Sequence, residues 1–294
     1  MIIVKLSGGL GNQLFQYAFA RAVSKKLNTD FKLDATPFET YYKLHKYALN
    51  HFNLTEKLAK RSDMFGFVWI RERHKFFDTF YRYLRLKSKL MPFYYPEQRF
   101  DFDPNVFKKD KVYFDGFWQT EKYFKNIENE LKDEITLKNP LSPYSQSVLD
   151  QIQKTSAVCL HIRRGDYVTN ASTNAVHGTC SLEYYERAIK YISEKVDSPH
   201  FFIFSDDYPW AVENFKNRPY PVTCISNGAD KNYEDLTLMS HCKHFIIANS
   251  SFSWWGAWLS RNAHKIVIGP KEWFKTKKTT VSTDDVIPSS CIKM

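Results

Sequence analysis

From about residue 155 onward the chain alternates short apolar runs with stretches of helical periodicity, and this alternation constrains the fold more than any other feature. The apolar runs at 157–163, 201–205, 222–225, 244–249 and 265–269 are rich in β-branched and aromatic residues. After the first run, Leu182, Tyr185, Ile189, Ile192 and Val196 recur at helical spacing behind Ser181, a suitable N-cap. Further helices are expected over 233–242 and 252–261. Such a β-α-β-α series predicts a mostly parallel sheet covered on both faces, because parallel strands require crossover connections.

The first half is less regular. Strands are expected at 2–7, 31–34 and 112–117, and helices at 12–27 and 121–133. At 294 residues the chain is long enough for two cores. The best linker is 138–143, where Pro140 and Pro143 bracket polar residues, so the expected domains are 1–140 and 141–294.

Composition narrows the function classes. No apolar run approaches the roughly 18 to 20 residues of a membrane span. The start lacks a basic n-region and a long apolar core, so it reads as a first strand and not as a signal peptide. Five cysteines without a Cys-x-x-Cys pair fit small buried thiols in a reducing cytoplasm, and no zinc or EF-hand spacing is present. The formal charge of +10 is concentrated at 57–91, where ten Lys or Arg face only Asp63, Glu72 and Asp78, with eight aromatics interleaved. That segment reads either as a solvated helix with an aromatic core stripe or as a contact with an anionic membrane surface, a nucleic acid or an acidic glycan. No motif for nucleic acid accompanies it.

Four motifs stand at strand-to-helix junctions. The first, Ser7-Gly8-Gly9-Leu10-Gly11-Asn12-Gln13, could expose helix N-terminal amides to an anion or simply make a tight turn, with Asn12 and Gln13 serving as caps or as side-chain hands on a polar ligand. It is neither the dinucleotide fingerprint nor a P-loop. The second, His161-Ile162-Arg163-Arg164-Gly165-Asp166-Tyr167, places two permanent cations beyond a strand. They read as a phosphate clamp or as an Arg164–Asp166 ion pair bracing a turn. The third, Ser205-Asp206-Asp207, offers carboxylates to ribose hydroxyls, a base or a metal, or caps the next helix. The fourth, Asn249-Ser250-Ser251-Phe252-Ser253-Trp254-Trp255-Gly256-Ala257-Trp258, joins hydroxyls to a helix N-terminus, a phosphate-binding arrangement. A doubly wound sheet gathers such junctions into one crevice, which favours a nucleotide-phosphate site.

Taken in order, the first, second and fourth motifs, with Gly116-Phe117-Trp118-Gln119-Thr120-Glu121-Lys122-Tyr123-Phe124, resemble the bacterial α1,2-fucosyltransferases from about residue 1 to residue 274. The resemblance implies an α/β fold of GT-B type, two Rossmann-like domains facing across a cleft, with the donor on the C-terminal one. It implies GDP-β-L-fucose as donor, a terminal galactoside on an oligosaccharide or glycolipid as acceptor, inversion to an α1,2 linkage, and neither cofactor nor metal. Carried over, Arg163 holds the β-phosphate, His161 lies near the guanosine, Asp235 takes guanine, and Ser250, Ser251 and Phe252 meet the phosphates. Asn12, Gly9 and Gly11 face the reaction centre from the acceptor-side domain, which makes Arg163 and Asn12 the candidate catalytic residues. Localisation is then cytoplasmic or peripheral to the inner membrane face.

The base that takes the acceptor proton has no sequence signature. Asp34, Asp115 and Glu121 qualify only by lying in the N-terminal half, and Asp101-Phe102-Asp103 reads as a turn. The competing readings are a fucosyltransferase of another linkage, a non-catalytic glycan- or nucleotide-binding protein, and a membrane-surface scaffold using 57–91.

Overall fold

The computed structural model describes residues 1–40, 42, 45–64, 92–275 and 282–294. The chain divides into two compact units, Met1–Thr136 with Val281–Val286, and Leu137–Thr280 with Ile287–Met294. The return of the chain to the first unit near its end was not anticipated. It is anchored there by the Asp285 carboxylate, which accepts the Phe102 N–H at 3.0 Å and pairs with Lys122.

In the N-terminal unit, strands β1 (Ile2–Lys5), β2 (Phe31–Asp34), β3 (Tyr94–Pro96) and β4 (Tyr113–Asp115) form a parallel sheet in the order β2-β1-β4-β3. Helix α1 (Leu10–Leu27) packs on it, buried over most of its surface. Its apolar face meets an aromatic cluster in which Phe19 stacks on Trp118 at 4.2 Å and Tyr123 stands edge-on to Phe19 at 5.2 Å. A short turn of helix, α2 (Thr36–Glu39), follows β2.

The expected helix over 121–133 is only partly formed. Two 3-10 turns precede α3 (Glu128–Glu134), and the backbone leaves helical dihedrals at Phe124 (φ −130°) and Ile127 (φ −121°). Those breaks let Tyr123 reach Phe19 while Phe124 reaches Phe15, and burial of both rings overrides helical propensity.

The C-terminal unit opens with α4 (Pro143–Lys154), capped by Ser142, inside the stretch read as a linker. A six-stranded parallel sheet follows: β5 (Ser156–Ile162), β6 (Pro199–Ser205), β7 (Val222–Cys224), β8 (His244–Ile246), β9 (Val267–Gly269) and β10 (Ile292–Lys293), ordered β10-β9-β8-β5-β6-β7. The helices are α5 (Gly165–Thr169), α6 (Ala171–His177), α7 (Leu182–Ser193), α8 (Tyr208–Phe215), α9 (Asn232–His241) and α10 (Ser251–Leu259). Ser181 caps α7 through its hydroxyl oxygen, which accepts the Tyr184 N–H at 3.3 Å.

Alternation along the central strands divides two cores. Ala157, Cys159, Phe202 and Phe204 face α4, α9 and α10, whereas Val158, Leu160, Ile162, Phe201 and Ile203 face α7 and α8. All five cysteines are free thiols. Within the basic stretch, residues 65–91 lie outside the described residues; ahead of them, Lys57 pairs with Asp30 at 3.1 Å and Asp63 with Lys32 at 2.5 Å. Among the described residues no helix is long and apolar enough to cross a membrane.

One polar network ties α1 to α3. Tyr17 donates its hydroxyl proton to Glu134, and Arg21 donates Nε–H to the same carboxylate at 3.0 Å. Burial pushes the Tyr17 phenol far above its ordinary value, so Tyr17 stays a neutral donor. Truncation of Glu134 strands a largely buried guanidinium and a buried hydroxyl. Glu134→Ala is expected to cost about 2–4 kcal/mol in urea unfolding, with the slope of the transition unchanged.

Candidate active site

Strand order in the C-terminal unit reverses direction between β5 and β8: β6 and β7 extend to one side of β5, β8 to β10 to the other. At such a switch point the loops leaving the two strands diverge and open a crevice at their carboxyl ends. The second and fourth motifs occupy those two loops.

His161 is the penultimate residue of β5, inside its buried part. It is 4% exposed, its ring centroid lies 5.7 Å from that of Phe252 on α10, and its Nδ1 makes no hydrogen bond within the chain. Burial pushes its pKa down to about 4 despite Asp206, with Arg163 adding to the depression, so the imidazole is neutral near pH 7. A neutral ring beside a cationic clamp can exchange a hydrogen bond with a polar ligand without adding charge.

The arginines receive parallel seats. Arg163 Nη1 lies 2.9 Å from Asp206 Oδ2, with its guanidinium over the Tyr167 ring at 5.3 Å. Arg164 Nε donates to Asp207 Oδ2 at 3.1 Å, with its guanidinium over Trp210 at 4.2 Å. Each cation therefore meets a carboxylate and an aromatic face. Asp207 also caps α8, its Oδ1 accepting the Trp210 N–H at 3.3 Å. The expected Arg164–Asp166 brace concerns a side chain outside the described groups. The carboxylate found on Arg164 is Asp207. The third motif thus grips the second, and through Asp207 it also supplies the helix cap expected of it.

Tyr167 connects the two sides of the switch point. Its hydroxyl donates to the Asn249 carbonyl at 3.4 Å, and its ring stacks on His177 at 4.8 Å. The Asn249 amide nitrogen donates to the carbonyls of His177 (2.9 Å), Gly178 (3.3 Å) and Trp273 (3.3 Å). Asn249 thereby locks the loop that delivers Ser250, whose hydroxyl oxygen caps α10 by accepting the Phe252 N–H at 3.3 Å. Ser251 is the first residue of that helix, and the remaining N-terminal amides lie beside it.

Asp235 lies in the first turn of α9, and its contacts run elsewhere. Asn227 Nδ2 donates to its Oδ1 at 2.7 Å, and Asn227 Oδ1 accepts from Ser145 at 3.2 Å. Burial raises its carboxyl to about 6, with Glu234 adding to the rise and the Asn227 hydrogen bond offsetting part of it.

In the N-terminal unit the glycine turn is shorter than expected. Gly8 has φ +81°, and a Cβ there would lie 2.3 Å from Asn12 Nδ2, so glycine is required by both conformation and space. Gly9 is the N-cap of α1, whereas Gly11 is already helical and buried. Asn12 Oδ1 accepts from Gln119 Nε2 at 2.8 Å. Gln13, weighed as a ligand contact, is wholly buried: it donates to the carbonyls of Gly8 (3.0 Å) and Lys46 (2.9 Å) and accepts the Ala48 N–H. Gln16 accepts the Ser7 N–H at 2.9 Å and donates to the Gly116 carbonyl at 2.9 Å.

The three acids considered as bases are all engaged. Asp34 is buried and accepts from Thr36 (N–H 3.0 Å, hydroxyl 2.7 Å) and from Tyr113 at 2.7 Å. Asp115 accepts from Tyr94 at 2.6 Å, and Glu121 pairs with Lys125 at 3.0 Å. Asp103 caps the 3-10 turn Pro104–Lys108. Among the described residues no group of three His, Cys, Asp or Glu side chains is placed to hold a metal ion.

Sequence reasoning assigned no role to Gln119, Gln16 or Asn249. The signal available for each was an amide side chain within or beside a glycine-bounded junction motif.

The model of glycosyl transferase family 11 matches residues 96–286. An α-1,2-colitosyltransferase of Escherichia coli is 33% identical over 299 residues, covering 100% of this chain and 99% of that protein. The O-antigen biosynthesis glycosyltransferase WbnK of the same organism is 32% identical, over 95% of this chain and 97% of its own. Among solved structures, a fucosyltransferase NodZ from Bradyrhizobium superposes with a TM-score of 0.51 at 13% identity, covering 88% of this chain and 92% of that one, which shows a shared α/β fold. With the family model matching over most of the C-terminal unit and relatives matching end to end, the chain belongs to glycosyl transferase family 11.

Proposed function

We propose that this glycosyltransferase moves L-fucose from GDP-β-L-fucose to the 2-hydroxyl of a terminal galactoside, with inversion and without a metal. The carrying observation is the seated arginine pair at the β5/β8 switch point, opposite the hydroxyl-rich N-terminus of α10. The acceptor oxygen attacks the anomeric carbon as the bond to the β-phosphate oxygen breaks, GDP departs with the electron pair, and the hydroxyl proton passes to the departing phosphate or to water. Arg163 and the α10 amides meet the charge growing on the diphosphate, the work a divalent ion performs in other transferases. His161 and Phe252 flank the nucleoside, and Asp235 accepts N–H groups of guanine. GT-B architecture is the framework for this assignment. In the N-terminal unit, Asn12, Gly9 and Gly11 are the residues suited to the acceptor side. A dissociative transition state needs little base assistance, in keeping with three engaged candidate acids.

A second reading has its own support: the full-length relative at 33% identity is a colitosyltransferase. Colitose is fucose without its 3-hydroxyl. A pocket that hydrogen-bonds that hydroxyl rejects the deoxy sugar strongly, whereas an apolar pocket discriminates weakly. Rates with GDP-fucose, GDP-colitose and UDP-galactose, measured in EDTA with linkage determined by NMR, decide among these. The expected result is α1,2-fucosylated galactoside formed without metal. Activity lost to EDTA, or a preference for the uridine donor, would overturn the proposal. Donor bound yet untransferred across a galactoside panel would favour the non-catalytic alternative.

Arg163→Ala is expected to lower kcat by about 10²- to 10³-fold while the circular dichroism spectrum is retained. Asp235 supplies a pH test. Recognition of guanine needs the carboxylate, so GDP affinity should fall about tenfold between pH 7 and pH 5 as the group protonates through about 6. The same raised value means that ionised Asp235 weakens the fold, a penalty growing as pH rises from 3.8 to 6 and complete above it. Asp235→Asn should therefore gain on the order of 1 kcal/mol of stability at neutral pH while losing GDP affinity and its pH dependence. A variant that loses stability and keeps GDP would exclude Asp235 from the site.

A further inference from the structure

Resting on that reading, we propose that Asp206 is a positioning residue that holds the Arg163 guanidinium in the orientation the departing diphosphate requires. Both carboxylate oxygens are engaged by the same loop. Oδ1 accepts the backbone N–H of Arg164 at 2.8 Å, and Oδ2 takes Arg163 Nη1 at 2.9 Å. The carboxylate sits directly on the backbone turn: a Cβ on Gly165 would lie 2.7 Å from Asp206 Oδ2. A group tied at one oxygen to the arginine's own loop cannot drift with the side chain that it grips. Asp206 therefore fixes the guanidinium relative to β5, while the Tyr167 ring at 5.3 Å supports the cation.

Arginine presents its N–H donors in a rigid planar fork, a geometry that suits a carboxylate and phosphate oxygens together. Asp207 differs in its duties. It caps α8 and grips Arg164, which Trp210 also covers, so that pair braces the turn. Asp206 has two opposing effects on a bound diphosphate. Its charge reduces the attraction of the site for anions, while its grip removes rotamer freedom that binding would otherwise have to freeze. In the ground state these effects offset one another. In the transition state, where negative charge concentrates on the bridging oxygen, orientation dominates.

Asp206→Asn separates the roles, because asparagine keeps an acceptor for the Arg164 N–H and loses the charge that holds Arg163. The wild type, Asp206→Asn, Asp206→Ala, Arg163→Lys and Arg163→Lys/Asp206→Asn would be compared by calorimetric titration with GDP and UDP and by initial rates. Asp206→Asn should lower kcat about 10- to 100-fold with GDP affinity within about threefold of wild type. In the Arg163→Lys background the same change should cost no more than about threefold further. If Asp206 only caps the turn, the asparagine variant will match wild type in kcat and only alanine will be impaired. A parallel loss of GDP affinity, kcat and melting temperature would mark general damage to the loop. Full additivity with Arg163→Lys would show that Asp206 acts elsewhere. Each of these three results overturns the inference alone. A wild type that binds GDP no better than UDP overturns the donor assignment beneath it, and the inference with it.

Discussion

Strand β5 lies at the centre of its sheet with apolar neighbours on both faces, and this double burial dictates where charge can appear. Ala157 and Cys159 press against one layer of helices, and Val158, Leu160 and Ile162 against the other. An arginine anywhere along that strand would be an unpaired charge in a dry core. The first position open to a guanidinium is the carboxyl end, and strand order places a crevice there because the neighbours on either side run off in opposite directions. The arginine pair, its two carboxylates and the serine-capped α10 follow from one constraint: polar chemistry is confined to the rim of an apolar sheet.

A second device is the buried amide. Gln13, Gln16 and Asn249 each use both ends of the side chain or several carbonyls to hold a loop that no regular structure supports. An amide does this without introducing charge, and with its partners satisfied it rigidifies the segment. The glycine turn before α1 and the loop before α10 are held in the same manner, one from within each unit.

Much of the C-terminal unit was legible in the sequence, because parallel strands buried on both faces announce themselves as short apolar runs separated by helical periods. The junction motifs were legible as junctions for the same reason. What escaped was set by contacts distant in sequence. Asp206 and Asp207 sit more than forty positions from the arginines they hold, and nothing local distinguishes them from a helix cap, which Asp207 also is. The brittle helix over 121–133 failed for a similar reason, since Phe15 and Phe19, a hundred positions upstream, draw Tyr123 and Phe124 out of helical register. Gln13 looked like a hand for a ligand and is a staple for a turn, because only the fold shows that its surroundings are closed.

The late return of the chain to the N-terminal unit affects how family members can be recombined. Neither unit is a single continuous segment: Asp285 belongs with the first, and β10, a few residues later, completes the sheet of the second. A hybrid made by one splice near residue 137 would join a foreign N-terminal unit to a native Asp285, leaving that carboxylate to face whatever replaced Phe102 and Lys122. Exchange of the N-terminal unit between relatives thus calls for two exchanged pieces, the long leading segment and the short one around Asp285, inherited together.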